Sequence, residues 1–387
     1  MSEKKPDIVR CPYSARCGGC GYMGANYEDT LKKKQDEAVK LLKGFGHVNT
    51  IVGADNPYNY RNKVHAVLSG GRRGEIYAGT YEAGTHKVVD VKSCAIDDVR
   101  ADAIIRSVVE LMPSFKYQPY DEDAHRGFLR HILVRTGAKT GQILLCLVVS
   151  DDVFPSAKNF VKAILKLHPD ITTIVMNVNN RNTGMVLGQR ERVLYGKGYI
   201  EDELCGRRFC ISAKSFYQIN SAQCEKLYSI AVDYAKLSGN EYVLDAYSGI
   251  GTIGITAAAH ARSVVGIELN PDAVRDAVRN VKINCITNAR FMQGDAGEFM
   301  VREAGQKRRY DVVFMDPPRA GSSKDFLKAI AVSAPRKIVY VSCNPQTLAR
   351  DIKELSKSGY TMKECTPVDM FPWTEGIECV CMLEKTI

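Results

Sequence analysis

The sequence predicts an α/β protein whose C-terminal part is a parallel sheet covered by helices on both faces. From about residue 211 onward, short segments that are apolar throughout alternate with helical stretches. This alternation is typical of a buried parallel sheet. Within residues 60–210, patches such as HILVRT and GQILLCLVVS indicate paired strands. Residues 1–26 hold three cysteines and are too short and glycine-rich to build a core.

These observations divide the 387-residue chain into four segments. In order, we expect a cysteine-rich segment (1–26), a helix and a strand (27–59), a central α/β region (60–210) and a parallel-sheet domain (211–387). Within the second segment, Leu31, Ala38 and Leu41 recur at helical spacing among lysines and glutamates. The expected strands of the last domain are EYVLDA, SVVGIEL, YDVVFMD, KIVYVSC and IECVCML.

Composition predicts a soluble, cytoplasmic protein. Hydrophobic residues make up 45% of the chain and charged residues 25%, and no apolar run approaches the roughly 18 residues that span a membrane. The opening MSEKKPDIVR lacks the apolar core of a secretory signal. Thirteen cysteines in a reducing compartment favour metal ligands or catalysts over disulfides. The net charge of +9 is compatible with a polyanionic partner.

A glycine turn follows the first strand of the last domain. The segment VLDAYSGIGTIGI places Asp245 near a strand end, followed by Gly249, Gly251 and an apolar helical run. Glycines let the backbone approach a ligand, and a helix N-terminus offers free amides. The next strand ends at Glu268, where a carboxylate can bind ribose hydroxyls. A further acidic strand end follows at Asp295.

This order of features resembles class I S-adenosylmethionine-dependent methyltransferases, whose first motif is an acidic residue, three residues and Gly-x-Gly. Two alternatives stay open on these residues alone. One is a glycine turn that binds no ligand, and the other is a nicotinamide-dependent enzyme, although the spacing is not the G-x-G-x-x-G of that class.

Two further strand ends carry residues suited to catalysis. Asp316 opens the sequence DPPR after one strand, and Cys343 follows the next strand beside Asn344 and a proline. Carbon 5 of uracil is a poor nucleophile. A thiolate that adds to carbon 6 turns the ring into an enolate, so that carbon 5 can attack a sulfonium methyl group. Glu378, near the start of the last strand, could then remove the carbon 5 proton.

At this point the sequence is identified as resembling the RumA/TrmA family of RNA uracil-5 methyltransferases. The motifs FYQIN, DAYSGIGT, DPPRAG, YVSCNPQTLARD and MFPWTEGIE occur in the family's order, and the resemblance covers nearly the whole chain from Cys11. It implies a class I Rossmann-like methyltransferase domain, with the helix near 27–44 packed on it. It implies Cys343 as nucleophile and Glu378 as proton acceptor. Around the methyl donor it implies Gln218, Tyr247, Gly249, Glu268, Asp295 and Asp316.

One position departs from the family pattern. The family usually has a histidine two residues before the base, where this chain has Gly376. The setting of Glu378 is therefore expected to differ from the family's. Because nothing in the sequence suggests an obligate dimer, the chain is expected to act as a monomer without an obligate protein partner.

Four cysteines form a separate set. Cys11, Cys17 and Cys20 follow a C-x5-C-x2-C spacing, and Cys94 lies far downstream. Three close thiolates and a remote one can hold zinc or an iron–sulfur cluster, and the spacing alone leaves zinc, iron–sulfur and no metal open. The family resemblance implies a [4Fe-4S] cluster, since the branch that modifies ribosomal RNA has this spacing. We therefore expect an iron–sulfur cluster with a structural role.

The RNA substrate is expected to be 23S ribosomal RNA. Only ten residues precede Cys11, so the chain is expected to lack the RNA-binding TRAM domain and to resemble the RumB-type enzymes in this respect. Contact with RNA would then come from the central region and the catalytic face. Candidate RNA-facing residues, each of which could equally be an ordinary solvated side chain, are Tyr60, Arg61, Lys63, Arg72, Arg73, Arg126 and Arg130.

Three rival functions remain at this stage. The same chemistry could act on the T-loop uridine of transfer RNA. A non-catalytic RNA-binding protein with a redox-sensing cluster would tolerate the loss of Cys343. An amino-methyltransferase using Asp316 and the prolines after it would leave Cys343 unexplained.

Overall fold

The structure is a computed structural model that describes residues 10–386, apart from 72, 73, 182, 183 and 307. Its helices are α1 (Ser14–Cys17), α2 (Tyr27–Leu42), α3 (Val99–Leu111), α4 (Ala157–Leu167), α5 (Ser221–Ala235), α6 (Thr252–Ala257), α7 (Pro271–Ile283), α8 (Ala296–Gly305), α9 (Lys324–Ser333) and α10 (Pro345–Ser356). Short 3-10 turns occur at Pro113–Phe115 and Ala258–His260.

The strands alternate with these helices along the chain, singly or in groups. They are β1 (His47–Val48), β2 (Lys63–Gly70), β3 (Ile76–Tyr81), β4 (Val88–Asp90), β5 (Leu129–Thr136), β6 (Ile143–Val149), β7 (Ile171–Val178), β8 (Arg190–Tyr195), β9 (Tyr199–Leu204), β10 (Arg207–Ser212), β11 (Tyr242–Ala246), β12 (Ser263–Glu268), β13 (Ala289–Gln293), β14 (Val312–Met315), β15 (Lys337–Ser342), β16 (Tyr360–Val368) and β17 (Glu378–Lys385). The strands β9 and β10 form a two-stranded sheet.

The chain folds into two compact units. The first contains the residues up to Gly24, together with Asn56–Glu203 and Ile211–Lys214. The second contains Ala25–Asp55, Leu204–Cys210 and Ser215–Ile387. The segment that carries α2 and β1 therefore belongs to the same unit as the C-terminal sheet, although the central region separates them in sequence.

An eight-stranded sheet organises the second unit, in the order β1-β16-β17-β15-β14-β11-β12-β13. The strands from β15 to β13 pair in parallel, as the sequence predicts. The last strand, β17, pairs antiparallel with both β15 and β16. The expectation of an entirely parallel sheet is wrong at this point, because β16 and β17 form a hairpin-like pair that no helix separates. The mixed α/β fold itself is confirmed.

The helix α2 packs on this sheet through one narrow face. Its buried residues are Thr30, Lys34, Ala38 and Leu42, four residues apart, a spacing that places them in one row along the helix. This row lies against β16 and α10. The helix begins cleanly because the side chain of Asn26 accepts a hydrogen bond from the backbone N–H of Glu28. Three of the four residues are ordinary for such a face, but the lysine is not.

A seven-stranded sheet organises the first unit, in the order β4-β3-β2-β5-β6-β7-β8. All neighbours pair antiparallel except β6 and β7, which are parallel and are joined through α4. The helix α3 packs on the sheet and on α4. Both β5 and β6 are buried along their whole length. The central region is thus a mixed α/β structure, and in the part of the chain that the structure describes no helix is long and apolar enough to cross a bilayer.

Candidate active site at one edge of the large sheet

The glycine turn after β11 is built from residues with positive φ. Tyr247, Gly249 and Gly251 have φ values of 63°, 54° and 85°. An added Cβ at Gly251 would lie 2.8 Å from the ring of Phe291, so the turn is held against strand β13 with no room for a side chain. The backbone N–H of Gly249 donates to Glu268 Oε2 at 2.9 Å. The turn and the end of β12 are therefore fixed to each other.

Asp245 lies inside this turn rather than at its surface. It is 1% exposed, and its Oδ2 accepts a hydrogen bond of 2.8 Å from the N–H of Gly254 in α6. Burial raises the pKa of this carboxyl to about 7. An added Cβ at residue 254 would lie 2.7 Å from the same oxygen. Asp245 thus stabilises the entry to the helix that follows the turn.

A pocket opens beside this turn and unites four of the six residues expected around the methyl donor. They are Gln218, Tyr247, Gly249 and Asp316. The remaining lining residues are Phe216, Tyr217, Tyr228, Asp245, Ser248, Ile250, Thr252 and Ile253. Backbone amides, aromatic rings and carboxylates in one pocket suit a ligand with both polar and apolar parts.

The other two expected residues lie just outside this pocket. Glu268 reaches it only through its hydrogen bond to the amide of Gly249. Asp295 caps α8, where its Oδ1 accepts from the N–H of Glu298 at 3.0 Å. Its charge still raises the pKa of Tyr247, after the larger effect of burial. Glu268 and Asp295 therefore each interact with a residue that lines the pocket.

Strand pairing brings the three candidate catalytic residues together. Ser342 at the end of β15 pairs with Cys379 of β17, so Cys343 follows this pair and Glu378 precedes it at the same edge of the sheet. On the other side, β14 runs parallel to β15 and ends immediately before Asp316. Adjacent strand ends thus place a thiol between two carboxyl groups.

Burial disfavours negative charge at each of these three groups, and neighbouring carboxyl groups add to the effect at Cys343 and Glu378. The pKa of the Cys343 thiol is raised by burial first, and then by Glu378 and Asp316. Burial raises the pKa of Asp316 to about 7. The pKa of Glu378 is raised well above its ordinary value, by burial first and then by Asp316. Arg319 opposes this trend and lowers the pKa of both Cys343 and Glu378.

Glu378 combines burial with a carboxyl oxygen that has no partner among the described residues. The residue is 3% exposed, and among the described residues its Oε2 has no hydrogen-bond partner. A buried carboxylate oxygen without a partner is costly. It is therefore a candidate to meet a proton of a bound substrate, which is the task that general base catalysis requires.

The loop that follows Asp316 is held by residues that the sequence alone did not single out. The Nδ2 of Asn344 and the Oγ1 of Thr347 both donate to the carbonyl of Arg319, at 3.1 and 3.2 Å. Asp351 accepts hydrogen bonds from the N–H of Ser322 and the hydroxyl of Tyr340.

These residues follow Cys343 within the motif YVSCNPQTLARD, with Asn344 at the N-cap of α10 and the others on the helix. Asn344, Thr347 and Asp351 recur at intervals of three and four residues, which is the spacing of one helix face. Polar residues at that spacing directly after Cys343 were the signal that could have identified them.

The departure at Gly376 has a packing consequence. An added Cβ there would lie 2.9 Å from Phe371 Cδ2 and 3.4 Å from Thr374 Oγ1. The loop before Glu378 is therefore folded tightly on itself, and a histidine at this position would require the ring of Phe371 to move. The backbone N–H of Gly376 donates to Thr374 Oγ1 at 3.1 Å.

The three cysteines of the C-x5-C-x2-C set and Cys94 all belong to the first unit. Burial raises the pKa of Cys20 to about 11, with further contributions from Cys17 and Cys11. Burial also raises the pKa of Cys94 to about 12, with a contribution from Cys20. Cys20 therefore lies within electrostatic range of Cys11, Cys17 and Cys94. Within the described residues no group of three or more candidate ligands has metal-binding geometry.

Several candidate RNA-facing residues of the first unit are engaged within it. The interpretation of Arg130 as RNA-facing is wrong, because it is 2% exposed and its guanidinium pairs with Glu122 at 2.7 Å. Arg61 lies 3.5 Å from Asp97, and burial lowers the pKa of Lys63 to about 8.

The remaining RNA-facing candidates differ in what the structure says of them. Arg126 is exposed and Tyr60 is partly exposed. Arg72 and Arg73 lie outside the described residues. Among the basic candidates that the structure describes, Arg126 is exposed, Arg61 and Lys63 are partly exposed and Arg130 is buried.

Comparisons with known proteins agree with this geometry. The family model described as tRNA (uracil-5-)-methyltransferase matches residues 26–386. An uncharacterized RNA methyltransferase of Halalkalibacterium halodurans is 40% identical over 391 residues, covering 99% of this chain and 85% of the relative. One from Staphylococcus aureus (strain MSSA476) is 38% identical over 377 residues, covering 96% and 83%.

A solved structure is similar along almost the whole chain. It is the tRNA (uracil-54, C5)-methyltransferase of Pyrococcus abyssi in complex with S-adenosyl-L-homocysteine. The TM-score is 0.80 at 28% sequence identity, and the match covers 97% of this chain and 87% of that chain.

The charge balance around the thiol predicts its pH dependence. Alkylation of Cys343 by iodoacetamide, followed by peptide mass spectrometry, should have a midpoint above the ordinary thiol pKa of roughly 8.5. In Arg319→Gln the midpoint should move to higher pH, because the lost positive charge no longer stabilises the thiolate. The exposed Lys328→Gln is the control and should leave it unchanged. A midpoint below 8.5 or so, or no shift in Arg319→Gln, would contradict this electrostatic description.

Proposed function

Because the chain belongs to the tRNA (uracil-5-)-methyltransferase family, we propose that it methylates carbon 5 of a uridine in 23S rRNA through a covalent adduct of Cys343. The protein is an S-adenosylmethionine-dependent RNA (uracil-5-)-methyltransferase. The observation that carries the mechanism is the pairing of β15 with β17, which sets Cys343 and a buried Glu378 at the same edge of the sheet.

The methyl donor would occupy the pocket beside the glycine turn. Gln218, Tyr247, Gly249 and Asp316 line that pocket, and Glu268 and Asp295 support it from outside. When bound there, S-adenosylmethionine supplies an electrophilic methyl group to carbon 5 of the uracil. The chain's own residues activate the ring and then release it.

The thiolate of Cys343 first adds to carbon 6, forming the S–C6 bond and placing the negative charge on the ring as an enolate. After carbon 5 carries the methyl group, one Oε of Glu378 takes the remaining carbon 5 proton. The C5–C6 double bond then re-forms, the S–C6 bond breaks and Cys343 leaves as a thiolate. Atoms and charge balance without an oxidant or reductant.

Burial and neighbouring charges bear on these steps. The pKa of Cys343 is raised by burial and then by Glu378 and Asp316, and the pKa of Glu378 is raised by burial and then by Asp316. Arg319 lowers both and so favours the thiolate and the carboxylate that the mechanism uses. Accepting the carbon 5 proton converts Glu378 to the neutral form that burial favours.

The choice of 23S rRNA is supported by the cysteine set, which the resemblance associates with enzymes of ribosomal RNA. A uridine of transfer RNA is the second candidate, favoured by the similarity to a Pyrococcus abyssi enzyme that acts on uridine 54 of tRNA. On this proposal the second unit performs the chemistry and the first unit contributes contacts with the RNA.

The substrate assay separates these candidates. Protein, labelled methyl donor and undermodified total RNA are incubated, and ribosomal and transfer RNA are then separated and digested to nucleosides. We expect label in 5-methyluridine of 23S rRNA, with a loss of at least about 10³-fold in Cys343→Ala. Cys285→Ser, at an exposed cysteine, should retain activity. Label confined to transfer RNA would overturn the ribosomal target, and an active Cys343→Ala variant would overturn the mechanism.

We also propose that Cys11, Cys17, Cys20 and Cys94 hold a [4Fe-4S] cluster with a structural role in the first unit. Protein purified without oxygen should contain about four iron and four sulfide per chain and absorb broadly in the visible range. Both signals should be lost in Cys20→Ser and retained in Cys285→Ser. Stoichiometric zinc without iron, or no metal in both the unmodified protein and Cys285→Ser, would contradict the cluster.

A further inference from the structure

A fully buried ion pair joins α2 to the loop that precedes the proposed base. Lys34 Nζ lies 2.5 Å from Asp369 Oδ1, and both side chains have no exposed surface. The other oxygen, Asp369 Oδ2, accepts a hydrogen bond of 2.6 Å from the hydroxyl of Tyr27, also on α2. That hydroxyl in turn accepts from the N–H of Ala54. Two side chains of one helix therefore bind this carboxylate, one through an ion pair and one through a hydrogen bond.

The same loop is held through three consecutive backbone carbonyls. The carbonyl of Asp369 accepts from Gln223 Nε2 at 3.0 Å, and that of Met370 from Asn220 Nδ2 at 3.2 Å. The third, at Phe371, accepts from Lys34 Nζ at 3.1 Å.

We use the name loop clamp for the three donors Lys34, Asn220 and Gln223. They come from α2 and from the start of α5, which are far apart in sequence but lie in the same unit. A chain segment whose successive carbonyls each receive a side-chain donor has little freedom to shift.

The clamped residues lie in the connection between β16 and the candidate base. They follow β16, which ends at Val368, and precede β17, which begins at Glu378. Between them, Trp373 adopts a φ of 68°, and its ring lies 5.3 Å from that of Tyr27. A positive φ at a bulky residue persists only where the surroundings enforce it. The conformation of this connection therefore depends on its contacts and not on the intrinsic backbone preferences of its residues.

Stability alone does not account for a charged clamp. Burying two charges costs several kcal/mol, and replacing a buried ion pair by apolar side chains is often neutral or stabilising. What such a pair does provide is one defined geometry, because removal of either charge leaves the other unpaired. A defined geometry matters most where a nearby atom must meet a substrate proton, since a displacement of about 1 Å can cost about 100-fold in rate.

We propose that Lys34, with Asn220 and Gln223, positions Glu378 for removal of the carbon 5 proton. The inference rests on the proposed function, in which Glu378 acts after methyl transfer. Asn220 lies two residues after Gln218 in FYQIN, so one short segment lines the methyl-donor pocket and clamps the base loop. Lys34, Asn220 and Gln223 are positioning residues, because they act through the loop and not on the substrate.

A positioning role predicts a split between two steps of one reaction. Formation of the adduct needs Cys343, whereas its resolution needs Glu378. The test uses transcripts of 23S rRNA and of transfer RNA made with uridine or with 5-fluorouridine. The fluorinated ring has no carbon 5 proton to lose, so it traps the methylated adduct and reports formation alone. Uridine transcripts report formation followed by resolution, and an adduct that withstands SDS is measured on a gel.

In Lys34→Met, the adduct on uridine RNA should accumulate and resolve at least about tenfold more slowly than in the unmodified protein. Trapping on 5-fluorouridine RNA should change by less than about twofold. The matched control is Lys32→Met, an exposed lysine of the same helix, which should behave like the unmodified protein. Slowing of both steps to the same extent, or normal resolution, would overturn the positioning role.

Two further variants keep the result interpretable. Asn220→Asp retains the oxygen that accepts from the N–H of Gln223 at the start of α5 but removes the donor to Met370. Asn220→Asp should slow resolution of the adduct without slowing its formation, and it provides this test even if Lys34→Met does not fold. An unchanged resolution rate in Asn220→Asp would overturn the clamp. Glu378→Gln should trap the adduct on uridine RNA. If Glu378→Gln resolves the adduct normally, the proposed base fails, and the clamp fails with it.

Discussion

The antiparallel placement of β17 between β15 and β16 is the constraint on which the site depends. In a parallel sheet the ends of neighbouring strands carry the functional residues at one edge. Because β17 runs the other way, its first residue reaches the edge where β15 ends. Glu378 can therefore share this edge with Cys343 from a strand start, and the chain must make a tight, well-held loop to enter β17 at that point.

The contacts of that loop explain why α2, which precedes the first unit's sheet in the chain, belongs to the second unit. Helix α2 supplies Lys34 and Tyr27 to the carboxylate of Asp369. On the other side of the thiol, Asn344 and Thr347 fix the carbonyl of Arg319. Separate sets of contacts thus hold the loop before Glu378 and the loop after Asp316. Burial of the three reacting groups disfavours additional negative charge in the pocket. The proposed reaction is compatible with this, because it moves one negative charge from the sulfur to the ring and adds none.

The sequence predicted which residues lie at this sheet edge more fully than it predicted the direction of the strands there. Strand ends, glycine spacing and ordered motifs identified Cys343 and Asp316, because such residues follow directly from local patterns. The pattern could not reveal that β17 is antiparallel, since a buried strand is apolar on both faces in either direction. Arg130 looked like a basic surface residue, and only the tertiary fold shows it buried against Glu122. Lys34 was hidden for the same reason, as its partner lies 335 residues away.

The central claim is that Glu378 removes the carbon 5 proton after Cys343 has formed the adduct. Release of tritium from transcripts labelled at carbon 5 of uridine tests it most directly when methyl transfer is measured in the same samples. The account predicts equal release and transfer in the unmodified protein. In Glu378→Gln it predicts up to one methyl group transferred per enzyme molecule, with tritium release slowed by about 10²-fold or more. Tritium release at the normal rate in that variant would contradict the account.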